Sequence, residues 1–265
     1  FGVSWGWKKY DSQLNPRNMV VGSKMNAYIN LGWLLNWQIN NDWRLTAGVD
    51  VTHFSNGNTH YPNAGVNTVG GRVSLIRTFG THSYRTSVET RRKARAEIER
   101  YFSYDVVLYG ATRRKGIIWP DDRVLVPGAF GVAGININPM YNLNACFRAG
   151  ISLDAQYDES ANIKDHVVGD DRSAENIRFY RPPFREQFGV GLSLRAELVM
   201  PIFSINLGVG HNVFYQGEDL KGFYQIAALK TSITRRLFLH VGYQLRNFKD
   251  PNNLMLGLGY RFNGR

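Results

Sequence analysis

The sequence predicts an all-β chain, an antiparallel transmembrane β-barrel of roughly twelve strands with short turns at one end and long loops at the other. Three observations lead there. Apolar and polar residues alternate over long stretches, the period of a strand with two different faces. The polar positions hold mainly Asn, Gly, Ser, Gln, Arg, Asp and Glu, where a water-facing sheet favours Lys, Glu and Thr. Such a set suits a crowded polar lumen, which turns the apolar rows toward lipid.

The elements follow in order. Phe1 opens directly on a strand-like stretch with no leader ahead of it, the pattern of a mature or truncated N-terminus. Ala27, Ile29, Leu31, Trp33, Leu35, Trp37 and Ile39 make an apolar row against Tyr28, Asn30, Gly32, Asn36 and Gln38. Trp43, Leu45, Ala47, Val49 and Val51 make the next, against Arg44, Thr46, Gly48, Asp50 and Thr52. Asn67, Val69, Gly71, Val73 and Leu75 continue the series. Residues 83–100 break it. Their composition reads as a short basic helix on the periplasmic side, a solvated face by its charge pattern. Alternation then resumes in Leu143 to Leu153, Phe188 to Leu198, Leu237 to Leu245 and Leu254 to Phe262.

The joins support the assignment. Asn40-Asn41, Asn138-Pro139-Met140, Met200-Pro201 and Thr234-Arg235 read as tight turns. Asp11 to Arg17, Gly57 to Val66, Arg113 to Arg123, Asp158 to Arg185 and Gln216 to Leu220 read as longer loops. Outer-membrane barrels show this asymmetry, periplasmic turns being tight and outer loops long. The expected organisation is one barrel domain over residues 1–265, with 83–100 as its insertion.

Composition sets bounds. The net charge of +11 fits a nucleic-acid binder, a protein facing anionic lipid, or basic loops. No zinc-finger spacing, phosphate-cradling glycine loop or RNA-binding motif accompanies it, which argues against nucleic acid. The lone Cys146 excludes an internal disulfide framework and a multi-cysteine metal site. No metal or cofactor is implied.

The chemistry concentrates in one place. His53 and Ser55 continue the apolar row of Trp43 to Val51, and Asn67 stands at the outer end of the next row. Three polar residues therefore converge at the outer rim of a lipid-facing surface. An imidazole beside a hydroxyl is the minimum for nucleophilic catalysis, the ring accepting the proton as Ser attacks a carbonyl. A third group orients the ring. Asn56, or backbone N–H groups in the turn containing Gly57, can hold the developing oxyanion. Polar residues also sit at little cost in the interfacial belt of a barrel, and parity alone leaves that reading open.

The string from His53 to Asn67, with His-x-Ser-Asn followed by Pro62-Asn63-Ala-Gly65, resembles the lipid A 3-O-deacylase (PagL-like) family of outer-membrane barrels. The resemblance implies Ser55 as nucleophile, His53 as general base and Asn56 as oxyanion donor. The family carries Glu where this sequence has Asn67, and its members are usually smaller, eight-stranded barrels. The implied function is removal of an ester-linked acyl chain from lipopolysaccharide, met from the outer leaflet of a bacterial outer membrane. The alternative is a catalytically silent barrel that acts as scaffold for outer-membrane protein partners. His60, His211 and His240 are weaker candidates. Asp105, Arg148, Asp154, Arg195, Glu197 and Arg246 read as lumen ion pairs, and Arg113, Arg114 and Lys115 as a basic outer run able to meet phosphate.

Overall fold

The computed structural model describes residues 2–79, 100–118, 123–168, 178–248 and 250–263. The helix expected over 83–100 falls, apart from Arg100, outside them. The chain separates into two compact units, Phe1–Asn56 with His60–Glu99, and Gly57–Thr59 with Arg100–Arg265.

The first unit is a four-stranded antiparallel sheet of β1 (Gly2–Trp5), β2 (Met25–Gln38), β3 (Trp43–Ser55) and β4 (Val66–Arg77), in that order. Ladder pairs such as Leu31 with Val51 and Val51 with Val69 keep apolar positions on one face. That face is open, with Trp33 81% exposed, Val69 80% and Val73 76%. On the other face Thr46 and Thr52 are buried, Asn30 donates to Thr52 at 2.7 Å, and Arg72 pairs with Asp50 at 3.2 Å. The tight turn between β2 and β3 is held by Asn40, whose side-chain oxygen accepts the N–H groups of Asp42 and Trp43 at 3.0 Å each. A short side chain that bonds the backbone two and three residues on is why Asn favours such turns.

In the second unit β5 (Tyr101–Arg113) is followed by an outer ribbon of β6 (Gly116–Ile118) and β7 (Arg123–Leu125). Then come β8 (Phe130–Asn144), β9 (Phe147–Asp158), a 3₁₀ turn at Ile163–His166, and a second ribbon of β10 (Val167–Val168) and β11 (Arg178–Phe179). A one-turn helix α1 (Phe184–Gln187) leads into β12 (Phe188–Val199), β13 (Phe203–Phe214), β14 (Phe223–Ser232), β15 (Leu237–Arg246) and β16 (Asp250–Phe262). Eight strands close into a barrel in the order β12-β13-β14-β15-β16-β5-β8-β9. Ile117, Val126, Phe130 and Ile163 form a small apolar core beneath the outer ribbons.

The antiparallel barrel class is as expected, and its strand count is corrected. The strands expected as one ring of about twelve divide into a sheet of four and a closed barrel of eight, because β16 pairs with β5. The lumen explains the smaller ring. Lys230 lies 3.0 Å from Asp105 and 2.7 Å from Glu197, Arg148 bonds both carboxylates, and Arg261 reaches Asp105 at 2.8 Å. These five side chains come from five strands around the ring. They meet only if the barrel is narrow enough for side chains to fill it, as eight strands make it. A second cluster joins Arg195 to Asp154 at 2.7 Å, with Ser193 and Tyr224 hydroxyls donating to the same carboxylate. Outside, Leu194 is 71% exposed.

Three local readings also change. Asn138-Pro139-Met140 is the interior of β8, and the turn falls after Asn144, whose side-chain oxygen accepts the Cys146 N–H at 2.9 Å. Proline lacks an N–H for the ladder, and the β8–β9 register accordingly runs from Ile137 to Met140 without pairing Asn138 or Pro139. Arg246 sits at the outer mouth, 3.5 Å from Asp219, instead of in the lumen clusters. Arg113 is buried against Asp158 at 2.9 Å and Lys115 is paired to Asp219 at 2.6 Å, so Arg114 is the exposed member of that basic run.

Candidate active site

His53 and Ser55 end β3 on its apolar face, and Asn67 lies directly across the ladder from His53. The pairing follows from sequence: with the apolar rows of β3 and β4 on one face, a one-residue slip would bury every apolar side chain on the polar side. Along the row beneath the cluster, Val51 pairs with Val69 and Ala47 with Val73. The three polar residues thus crown a column of aliphatic side chains.

The central contact is between His53 Nδ1 and Asn67 Oδ1, at 2.7 Å. A carbonyl oxygen accepts, so the ring N–H belongs on Nδ1, which leaves the Nε2 lone pair available as a base. The ring lies against Gly65: a Cβ built there would sit 3.0 Å from His53 Cε1, and Gly65 has φ +73°. Glycine at this position both accepts the left-handed backbone and leaves room for the imidazole. Ser55 stands two residues beyond His53 on the same face, the neighbouring position along one strand edge.

The following loop is braced from within. The backbone N–H of Asn56 donates to Asn63 Oδ1 at 2.9 Å, and Asn56 Nδ2 donates to the His60 carbonyl at 3.0 Å. Asn56 is 5% exposed. Its side chain is therefore engaged in shaping the turn. Asn63 and Gly65 were not among the site residues read from the sequence, although both lie in its Pro-Asn-x-Gly turn. His60 belongs to the same loop through its carbonyl. His211 stands elsewhere, on the outer face of β13, with its ring edge-on to Phe223 at 5.0 Å. His240 is buried in the barrel, 2% exposed. Among the described residues no group of His, Cys, Asp or Glu has the arrangement of a metal site.

The closed antiparallel barrel sets the class of protein, an outer-membrane β-barrel. Residues 102–264 match the acyloxyacyl hydrolase C-terminal domain family (PagL_C), and residues 1–75 match the lipid A 3-O-deacylase family (PagL). The first match spans more than half of the chain, which belongs to this PagL-like family of bacterial outer-membrane lipid A deacylases. No curated protein matches it. Two solved structures of Ail, the attachment invasion locus protein of Yersinia pestis, are similar at 19% identity. One is in complex with the heparin analogue sucrose octasulfate, the other in a phospholipid bilayer nanodisc. They cover 62% and 61% of this chain and 100% and 99% of their own, with TM-scores of 0.34 and 0.33.

Proposed function

We propose that Ser55, His53 and Asn67 carry the deacylation of lipid A. The observation that supports this most is the 2.7 Å bond between His53 Nδ1 and Asn67 Oδ1 on an apolar, open face. Ser55 Oγ attacks the acyl carbonyl while His53 Nε2 takes its proton, and the sugar hydroxyl leaves on receiving that proton. Water then attacks the acyl-enzyme by the same route and releases a fatty acid. Asn67 fixes the tautomer and orientation of the ring but supplies no negative charge to the imidazolium. Oxyanion stabilisation falls to backbone N–H groups of the turn after Ser55, which the Asn56 side chain shapes.

An acyl chain lying along the column of Val51, Val69 and Val73 brings its ester to the rim, where the headgroup begins. Lipid A diffusing in the outer leaflet needs no channel to reach this face. A stable outer-membrane protein partner is required only by the scaffold reading. Mass spectrometry of lipid A tests the proposal. Cells carrying the wild type should show lipid A lacking one ester-linked acyl chain, and cells carrying Ser55→Ala or His53→Ala should show the intact molecule. Intact lipid A in all three strains would contradict it.

A further inference from the structure

We propose that Asn18 and Gly22, in the loop between β1 and β2, are positioning residues that hold the His53 imidazole, a role that rests on His53 being the base for Ser55. The loop lies in one compact unit with His53, Ser55 and Asn67. Its two arms are tied together. The Gly6 N–H donates to the Lys24 carbonyl at 2.6 Å, and the Tyr10 N–H to the Val21 carbonyl at 2.7 Å. Asn18 shapes the returning arm. Its side-chain oxygen accepts the Val20 and Val21 N–H groups at 3.1 Å each, and its amide donates to the Lys8 carbonyl at 2.8 Å. The Val21 N–H and the Val20 carbonyl belong to one planar peptide unit, so holding the first aims the second.

The Val20 carbonyl accepts the Gly65 N–H at 3.3 Å. Two residues on, buried Gly22 lies against the start of the same Pro62–Gly65 turn, where a Cβ would stand 2.5 Å from the Pro62 carbonyl oxygen. Only a residue without a side chain admits so close an approach of two backbones. The loop therefore grips the turn at both ends, and the turn meets the ring. A Cβ on Gly65 would sit 3.0 Å from His53 Cε1 and 3.7 Å from Nε2. Asn67 holds the imidazole at Nδ1, at 2.7 Å, and the Gly65 backbone stops it at the Cε1–Nε2 edge. A neutral amide oxygen binds the ring N–H less strongly than a carboxylate would, which makes the second restraint matter more in this chain. A general base must stay within hydrogen-bond reach of the proton it takes, and errors of about 1 Å can cost on the order of a hundredfold in rate. Asn18 and Gly22 touch no reacting atom; they act on the ring through Gly65.

The test reads the ring by NMR and the rate by fatty acid release, on the full chain in lipopolysaccharide-containing bilayers. In the wild type the His53 Nδ1–H should be protected from water by its bond to Asn67. Gly22→Ala should speed exchange of that proton about tenfold and lower kcat about tenfold or more with KM unchanged, the amide signals of β2 to β4 staying in place. Asn18→Ala should act in the same direction and also speed amide exchange at Gly65. Asn18→Asp keeps the acceptor for Val20 and Val21 and should restore most of both. Gly6→Ala, in the same loop, would meet Val21 Cγ1 at an ordinary 3.5 Å and should change neither. Unchanged Nδ1–H exchange in Gly22→Ala would overturn the inference whatever the turnover, as would an Asn18→Asp no better than Asn18→Ala. If the ring proton exchanges faster as expected but the wild type releases no fatty acid, the Ser55 reading fails and the hold on the ring stands.

Discussion

The eight-stranded barrel and the four-stranded sheet use the same alternation and put charge to opposite uses. In the barrel, Asp105, Arg148, Glu197, Lys230 and Arg261 all face inward, each carboxylate meeting more than one cation. Its outward rows are aliphatic and aromatic. In the sheet the polar face carries the ion pair of Asp50 with Arg72, while the apolar face ends in His53, Ser55 and Asn67. Inward polarity in a closed barrel is explained by packing and pairing. Polarity at the end of an apolar face, His53 beside Ser55 and Asn67, has no such explanation, and there we propose that the chemistry lies. The barrel fills its lumen; the sheet leaves an apolar face open.

The largest way to sharpen this contrast is to complete the charge that the site lacks. Asn67→Glu should raise kcat substantially, up to about 10⁴-fold, since replacing the triad acid by its amide in a serine protease costs about that much. An unchanged or lower rate, with the protein folded, would break the argument that Asn67 orients the ring. Arg148→Ala should then test the barrel. Removing one cation leaves buried carboxylates short of a partner, and stability in a urea refolding titration should fall by about 3–5 kcal/mol. A loss below 1 kcal/mol would mean that the lumen is wet and loosely held.

Val73→Arg reverses the polarity of the sheet's open face. If Val73 lies near the bilayer midplane, folding into lipid should weaken by about 2–4 kcal/mol. Equal stability would take that face out of the membrane. The smallest expected effect concerns Asp219 in the outer loop between β13 and β14. Burial pushes its carboxyl up, but the Lys115 ammonium, the hydrogen bond from it and the Asn162 N–H together hold it below the ordinary carboxylate range. A carboxyl lowered in the folded state adds stability at neutral pH. That contribution is lost as pH falls below the usual value of about 3.9 toward the folded one. Amide protection at Asn162 should therefore drop in acid in the wild type and be insensitive to pH in Asp219→Asn. The same profile in both would show that another group governs the loop.

Much of this was legible in the sequence because it is local. Alternation gave the faces, and Asn40, Met200-Pro201 and Thr234 marked tight turns that side-chain or backbone bonds do hold, Thr234 Oγ1 accepting the Leu237 N–H at 2.9 Å. The shared face of His53, Ser55 and Asn67 was readable from parity, since a strand leaves no freedom about which face a residue takes, while the roles proposed for them came from the family resemblance. What could not be read is what depends on distant partners. Barrel closure is the pairing of β16 with β5, where Arg261 also meets Asp105, and nothing in either strand by itself says that the two pair. Pro139 carried a turn signal that the ladder absorbed by leaving it unpaired on one side. The bracing of Asn56 by Asn63 and His60 depends on how the loop folds back, which residue spacing does not fix.

We propose that a lipid-facing Ser-His-Asn cluster deacylates lipid A. It is tested most directly by measuring fatty acid released from lipopolysaccharide in bilayers by purified wild type and Ser55→Ala, with equal folding shown for both. Steady release by the wild type is expected, with a fall of at least about 10³-fold in Ser55→Ala. Equal release by both proteins, or none by the wild type, would contradict it.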